Sequence, residues 1–412
     1  MAGGLMQLVA FGAQDAFLTG QPDISFFKVA HRRHTNFAIE SIEQTFNGTV
    51  QLGNRLTAPI SRNGDLITNV WLEASFSNVG NVVNSLGHAM IEYVELEIGG
   101  QQIDKHYGEW LEIWSELTLP EEKRAGFKEM IGRRDAGTAA SGAASLESNK
   151  LYIPLQFFFC RNPGLALPLI ALQYHEVRII VKLRTAADLV SKESTHTGAN
   201  AADVPVLDSL RMYVDYVYLD QVERTLFAKN SHEYLIEQLQ HTGPESTNDN
   251  NHRLNFNHPV KELVWVVRRN GADPVEFGAN VTANWLDYEQ TAFNADFPYA
   301  VAANESFTSG KLQLNGHDRF SERDAAYFRL VQPYQHHSRI PHKYVYCYSF
   351  ALNPEAHQPS GSCNFSRLDT VTLVLNGLKT QTGNGAGELL VYAVNLNVLR
   401  IRSGMGGLAF SN

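Results

Sequence analysis

From about Ile39 onward, hydrophobic and polar residues alternate in short runs separated by turn formers. Gly64-Asp65 mark a turn. The run after it, 66–76, puts Leu66, Val70, Leu72, Ala74 and Phe76 on one face, the period-two signature of a half-buried strand. Residues 89–98 alternate likewise, with Val94, Leu96 and Ile98 on one side and Glu95 and Glu97 on the other, and Gly99-Gly100 end the run in a tight turn. The same spacing predicts strands over 151–159, 174–183, 207–219 (Met212, Val214, Tyr216 and Tyr218 on one face), 262–268, 344–352, 370–375 and 389–401. Helical spacing is confined to 107–117, a segment opened by Pro120 over 121–131, and a patch over 231–240. The Ala/Gly/Ser-rich stretch 133–149 and the irregular stretch 270–310 read as exposed loops.

Two motifs recur in the same order. Leu96, Ile98 and Gly100 reappear with the same spacing as Leu312, Leu314 and Gly316, and an aromatic, helix-permissive segment follows each (107–113 and 325–331). The spacing N-P-x4-P occurs at Asn162-Pro163…Pro168 and again at Asn353-Pro354…Pro359. In that same alignment Phe159 matches Phe350, Tyr174 matches Phe365, Val177 matches Leu368 and Ile180 matches Val371. The stretch between the two motifs is longer in the first copy (Leu96 to Asn162) than in the second (Leu312 to Asn353). The first copy therefore carries an insertion, most of it supplied by 133–149. A repeat that fills half the chain is a duplicated domain, too long for a solenoid unit or a propeller blade. Many short strands, few helices and long excursions between strands give an all-β fold class: two consecutive eight-stranded antiparallel jelly-roll β-sandwiches with short helices in the interstrand loops. The breaker-rich run 242–251 places the junction between about 220 and 250. The expected organisation is an arm over 1–25, a first jelly roll over 26–220, a linker with a short helix over 221–250, and a second jelly roll over 251–412. The arm holds Leu5, Met6, Leu8, Val9, Phe11, Phe17 and Leu18. A terminal segment this apolar binds its own domain or a neighbour.

Composition narrows the function. The net charge is −9, which makes the chain a poor general binder of phosphate backbones; His31-Arg32-Arg33-His34 is too short for a nucleic-acid arm. Cys160, Cys347 and Cys363 are odd in number and form no C-x-x-C pair, which argues against a disulfide scaffold or zinc ribbon and fits a reducing compartment. No apolar run is long enough to span a membrane, and the start reads as neither a secretory signal nor a myristoylation site.

Several segments carry a specific resemblance. They are G-G-L-M-Q-L-V-A-F-G-A-Q-D at 3–15, I-S-F-F-K-V-A-H-R-R-H-T-N-F at 24–37, the stretch 91–107, P-L-Q-F-F-F-C-R-N-P-G-L-A-L-P-L-I-A-L-Q-Y-H-E-V at 154–177, and S-F-A-L-N-P-E-A-H-Q-P-S-G-S-C-N-F-S-R-L-D at 349–369. In these the chain resembles the double jelly-roll major capsid proteins of nucleocytoplasmic large DNA viruses, of the phycodnavirus and iridovirus kind. The resemblance implies a homotrimer of pseudo-hexagonal outline, tiling an icosahedral shell in the virion after assembly in the host cytoplasm. It implies an arm on the inner side and contacts with minor capsid and penton proteins and, through minor proteins, an internal membrane. No direct nucleic-acid contact is expected. The chain is short for this family, which implies short outer loops.

No catalytic, cofactor-binding or metal site is expected. His317, His336, His337, His342 and His357 gather in the second half, but H-x-H, which a cupin-type metal site would show, is absent. They read as surface or interface residues. His175-Glu176 and His232-Glu233 begin like H-E-x-x-H, but Ile179 and Ile236 stand where the second histidine belongs. Ser360-Gly361-Ser362 does not fit G-x-S-x-G and reads as a corner, with Asn364 or Ser366 bonding local backbone. Sequons stand at Asn47, Asn280, Asn304 and Asn364, and an unmodified asparagine is the expectation at each. Two other functions compete: a carbohydrate-binding module or jelly-roll enzyme, which needs a pocket of convergent polar and aromatic groups, and a minor capsid or scaffold protein of the same fold.

Overall fold

The alternating runs become antiparallel strands, because a period-two pattern gives each strand one face for a core. The computed structural model describes residues 3–79, 82–133, 149–189, 204–268, 286, 305–378 and 387–411. An arm, Met1–Asn36, separates from a body, Phe37–Asn412. In the arm, α1 (Gly3–Val9) and α2 (Ala13–Thr19) are two turns each, and Leu5, Leu8, Phe17, Phe26, Phe27 and Val29 are exposed. Asp15 accepts from the Gly12 N–H at 2.9 Å and fixes the start of α2.

The first part of the body runs β1 (Phe37–Gln44), β2 (Arg55–Pro59), β3 (Leu66–Ser77), α3 (Leu86–Ala89), β4 (Ile91–Ile98), β5 (Gln101–Tyr107), α4 (Gly108–Thr118), α5 (Arg124–Ile131), β6 (Lys150–Pro154), α6 (Phe158–Arg161), β7 (Leu167–Pro168), β8 (Val177–Leu183) and β9 (Val206–Leu219). One sheet has the order β1-β9-β3-β6, with β7 on β3; the other has β2-β8-β4-β5. After α7 (Gln221–Lys229) come β10 (His232–His241), β11 (Glu245–Ser246), β12 (Asn251–Arg253), β13 (Pro259–Arg268), β14 (Ser309–Leu314), β15 (His317–Asp318) and β16 (Arg323–Asp324). A π-helical turn (Tyr327–Val331) leads into α8 (Gln332–His336), then β17 (Tyr346–Ser349), β18 (Cys363–Asn364), β19 (Val371–Asn376), β20 (Glu388–Arg402) and β21 (Met405–Leu408). These sheets have the orders β10-β20-β13-β17 and β12-β19-β14-β15. The strand order is therefore the same twice over. The outer strand β1 corresponds to β10, β3 to β13, β9 to β20, and the hairpin β4-β5 to β14-β15. This is two jelly rolls in one chain.

Register refines the repeat. Ile179 lies opposite Leu96, and Leu373 lies opposite Leu312. If Leu96 and Leu312 correspond, Ile179 corresponds to Leu373. The alignment on N-P-x4-P carries Ile179 only as far as Thr370. The extra chain forms the corner before β18, where the Ser360 hydroxyl accepts from the Asn353 N–H at 2.9 Å.

Other local expectations change too. The helical patch over 231–240 is the strand β10, paired along its whole length with β20. The helix lies just before it, in α7, where the Asp220 carboxylate accepts from the Gln221 N–H at 2.7 Å. The segment expected as a linker, 221–250, thus holds α7 and then β10. The strand expected over 151–159 ends at Pro154, and Phe158–Arg161 turn into α6. Nearly all of the loop 133–149, most of 270–310, and Asn280 and Asn304 lie outside the described residues.

Each sandwich has its own core, and the two cores interlock. Tyr234, Ile236, Leu399 and Ile401, from β10 and β20, pack into the first core. Trp110, Ile113, Trp114 and Leu117, from α4, pack into the second.

Candidate functional site: the seam between the sandwiches

The seam is organised by α4. Its sequence, GEWLEIWSELT, holds strong helix formers, and Leu119 is extended before Pro120, which ends the helix. At its start a Cβ on Gly108 would lie 2.3 Å from the Ile91 carbonyl oxygen and 2.4 Å from that of His88, so only glycine fits. Leu111 joins the first core, while Trp110, Ile113, Trp114 and Leu117 join the second. Glu109, Glu112 and Glu116 are spaced i, i+3, i+7 and form a buried acidic stripe.

Basic groups from both sandwiches converge on that stripe. Glu109 Oε1 accepts from Arg184 at the end of β8 and from Arg268 at the end of β13, each at 2.6 Å. Glu112 faces His88 Nδ1 at 2.6 Å, Lys343 Nζ at 2.7 Å and the Ser85 hydroxyl at 3.2 Å. Glu116 bonds Arg133 and accepts from the His342 N–H at 3.1 Å. Burial alone would raise the Glu109 carboxyl, but Arg184 and Arg268 more than offset it and hold it below its ordinary value. Glu112 is likewise pulled well below its ordinary value, chiefly by Lys343 and His88 against the burial penalty.

A second junction lies across the seam. Lys261 of β13, fully buried, donates to Glu237 of β10 at 2.6 Å. Arg161, just before Asn162-Pro163, bonds the same carboxylate at 3.0 Å, and its guanidinium sits 3.8 Å from the Trp114 ring centre. Ion pairs this deep gain little net stability, but removing one partner is costly. They therefore fix how the two sandwiches meet.

The five histidines of the second half do not converge. His317 is exposed, and His336 Nδ1 bonds the Leu352 carbonyl at 3.0 Å. His337 corrects the surface reading. Its side chain is fully buried, 2.9 Å from Glu262 and 3.0 Å from Glu355. Burial would lower its pKa, but Glu262 first, and bonds to Cys347 and Glu355, push it up to about 12. His342 is half-exposed near Glu121 and Arg124, and His357 is partly buried. Among the described residues no group of three or more His, Cys, Asp or Glu side chains is arranged to hold a metal ion. His175 Nδ1 lies 2.9 Å from the Gly406 carbonyl oxygen, and His232 Nε2 lies 2.8 Å from that of Phe227. Asn364 accepts from the Ser366 N–H at 3.1 Å, and Ser366 accepts from the His258 N–H at 2.8 Å, so both serve the corner. Asn47 and Asn364 are exposed. A cleft at the seam, between His106, Trp110, Arg161 and Glu237, has a volume of about 10 Å³, room for little more than a water and far below the roughly 300–1,000 Å³ of small-molecule sites. Sequence reasoning missed the acidic stripe. Its signal was three glutamates at helical spacing on a helix otherwise rich in Trp and Leu.

Comparison with known proteins fits this architecture. Residues 25–220 match a family model described as major capsid protein N-terminus, and residues 223–407 match one described as large eukaryotic DNA virus major capsid protein. The chain is 48% identical to the major capsid protein of Pyramimonas orientalis virus and 44% identical to that of Paramecium bursaria Chlorella virus 1, with 100% of each chain covered. A chain from a quasi-atomic model of the PBCV-1 virus capsid superposes with a TM-score of 0.78 at 39% identity, over 94% of this chain and 100% of that one.

Proposed function

The chain belongs to the major capsid proteins of large eukaryotic DNA viruses, and on that footing we infer that its work is mechanical: three copies form a capsomer of pseudo-hexagonal outline that tiles an icosahedral shell. The observation that carries this reading is the repeated strand order. Three chains of two like sandwiches offer six like units, which fill a six-fold position without six chains. We assign the chain no catalytic, cofactor-binding or metal residue. Its place is the outer shell of the virion, assembled in the host cytoplasm, with minor capsid and penton proteins as neighbours and an internal membrane reached through minor proteins. The net charge of −9 supports keeping it off the genome. We divide the chain into an arm, a first sandwich from β1 to β9, α7 as the link, and a second sandwich from β10, a division that the sheet orders support. Light scattering on the purified chain tests the reading: three times the chain mass is expected, and a monomer at every concentration refutes it.

A further inference from the structure

The helical segment before β17 stands where α4 stands in the first copy, and among the described residues it has no second sandwich to cover. In α4, Leu111 anchors the helix in its own core, and Trp110, Ile113, Trp114 and Leu117 enter the neighbouring one. Laying Leu111 on Phe328 lays these four on Tyr327, Leu330, Val331 and Tyr334. Phe328 and Tyr327 pack in their own core, which leaves the other three. Leu330, Val331 and Tyr334 are 38%, 39% and 76% exposed, on one side of the helix by their spacing.

The surface that α4 covers has a counterpart too. In the second sandwich, Trp110 of α4 meets Tyr392 of β20 with ring centres 5.4 Å apart, and Tyr392 lies opposite Val264 of β13. The short strands β7 and β18 lie opposite Ile67 and Val260, so those two residues correspond. Counting from their partners Tyr216 and Asn395, Tyr392 corresponds to Tyr213, whose neighbour across the ladder is Trp71. Tyr213 and Trp71 stack at 4.4 Å, and Tyr152 continues the strip 5.9 Å from Trp71, itself 36% exposed. An aromatic strip thus lies on the outer face of the first sandwich, where the second sandwich carries α4.

The charges change together. At the seam Glu109 bonds Arg268. In the same two alignments Glu109 becomes Ala326 and Arg268 becomes Ser75, so the acid and the base are both replaced by small uncharged residues. A helix and a face that lose an ion pair on both sides remain matched to each other.

We propose that the Leu330, Val331 and Tyr334 side of one copy docks on the Trp71, Tyr213 and Tyr152 strip of the next, repeating between chains the contact that α4 makes within one. The partner is a second copy of this chain. The contact is head-to-tail, which closes into a ring when its rotation is a third of a turn, as the trimer requires. It rests on the trimer reading and gives that trimer its residues.

The test uses two variants of the full chain, followed by sedimentation and light scattering. Leu330→Glu with Tyr334→Glu disables the helix; Trp71→Ala with Tyr152→Glu disables the strip. Each is expected to weaken trimer association by at least about a hundredfold, as loss of central interface anchors does, with an unchanged circular dichroism spectrum. An equimolar mixture keeps one intact helix–strip pair and is expected to give dimers. Trimers in both variants, as stable as wild type, overturn this contact and leave the capsomer reading intact. A wild-type monomer at all concentrations overturns the capsomer reading itself. Oligosaccharide binding that Trp71→Ala abolishes while the trimer persists makes the strip a sugar platform and overturns the contact. If the glutamate variants misfold, Tyr334→Ser, at an exposed side chain, gives the same readout by a smaller weakening.

Discussion

Glu109→Ala asks whether the two sandwiches form one thermodynamic unit. The substitution deletes a buried carboxylate oxygen that accepts from Arg184 and Arg268 at 2.6 Å each. Bonds of this charged kind contribute roughly 1.5–3 kcal/mol apiece, and deleting one partner of a buried ion pair costs about 3–5 kcal/mol. Arg268 keeps its bond to Glu388 at 2.5 Å, which points to the lower part of that range, about 3–4 kcal/mol. Unfolding entropy near 60 °C is about 2.1 cal/mol/K per residue. For 412 residues melting together this is roughly 0.9 kcal/mol/K, so the midpoint falls by about 3–5 °C. If each sandwich melted alone, half the entropy would double the shift to about 6–10 °C and the trace would split. Scanning calorimetry at matched scan rates separates the cases, with tryptophan fluorescence following Trp110 and Trp114 at the seam. A shift below about 1 °C, or two transitions in the wild type, refutes the coupling.

Three other outcomes follow from the same geometry. Gly108→Ala drives a Cβ into two carbonyl oxygens and is expected to abolish soluble folded protein, read by expression and circular dichroism; a folded variant with an unchanged midpoint contradicts the close approach. The carboxyls of Glu109, Glu112 and Glu116 titrate below their ordinary value of 4.5, so their contribution is full above that pH and is lost as pH falls through the lowered values. The melting midpoint should hold from pH 7 to about 5 and drop below about 4, and Glu112→Gln should flatten that acid limb; an equally steep limb in the variant counts against the stripe. Desolvation pushes the thiol of the partly exposed Cys160 up to about 12 and raises that of the buried Cys347, so a thiol reagent at pH 8 should label Cys160 slowly and Cys347 only when the chain unfolds; native labelling of Cys160 as fast as a free thiol refutes its raised value.

Strands with a single buried face were legible in the sequence, as in β3, β4 and β9, because alternation records a core on one side. β10 was not. It packs at the seam, so Tyr234, Leu235 and Ile236 form a continuous apolar run that fits a helix as well as a strand. The repeat was legible at its glycines and prolines, which the turns demand. It slipped from Leu373 to Thr370 where a corner had grown without changing its motif. The acidic stripe was harder. Its partners Arg184, Arg268, Arg133 and Lys343 lie far apart in the chain, and the sequence around each glutamate holds no sign of them. His337 was misread for the same reason, since its partner Glu262 lies on β13, several elements back along the chain.

The interlocked cores have a consequence during synthesis. A ribosome releases the first sandwich's own strands well before Leu399 and Ile401, yet those residues complete its core. The amino-terminal half therefore cannot finish folding as it emerges, and waits for nearly the whole chain with apolar surface still uncovered. Contacts so distant along the chain also slow the search for the native state. A nascent chain of this kind keeps that surface open to aggregation until its last strands arrive, and a truncated one keeps an incomplete first core. The same delay keeps unfinished chains out of any assembly that requires a finished first sandwich.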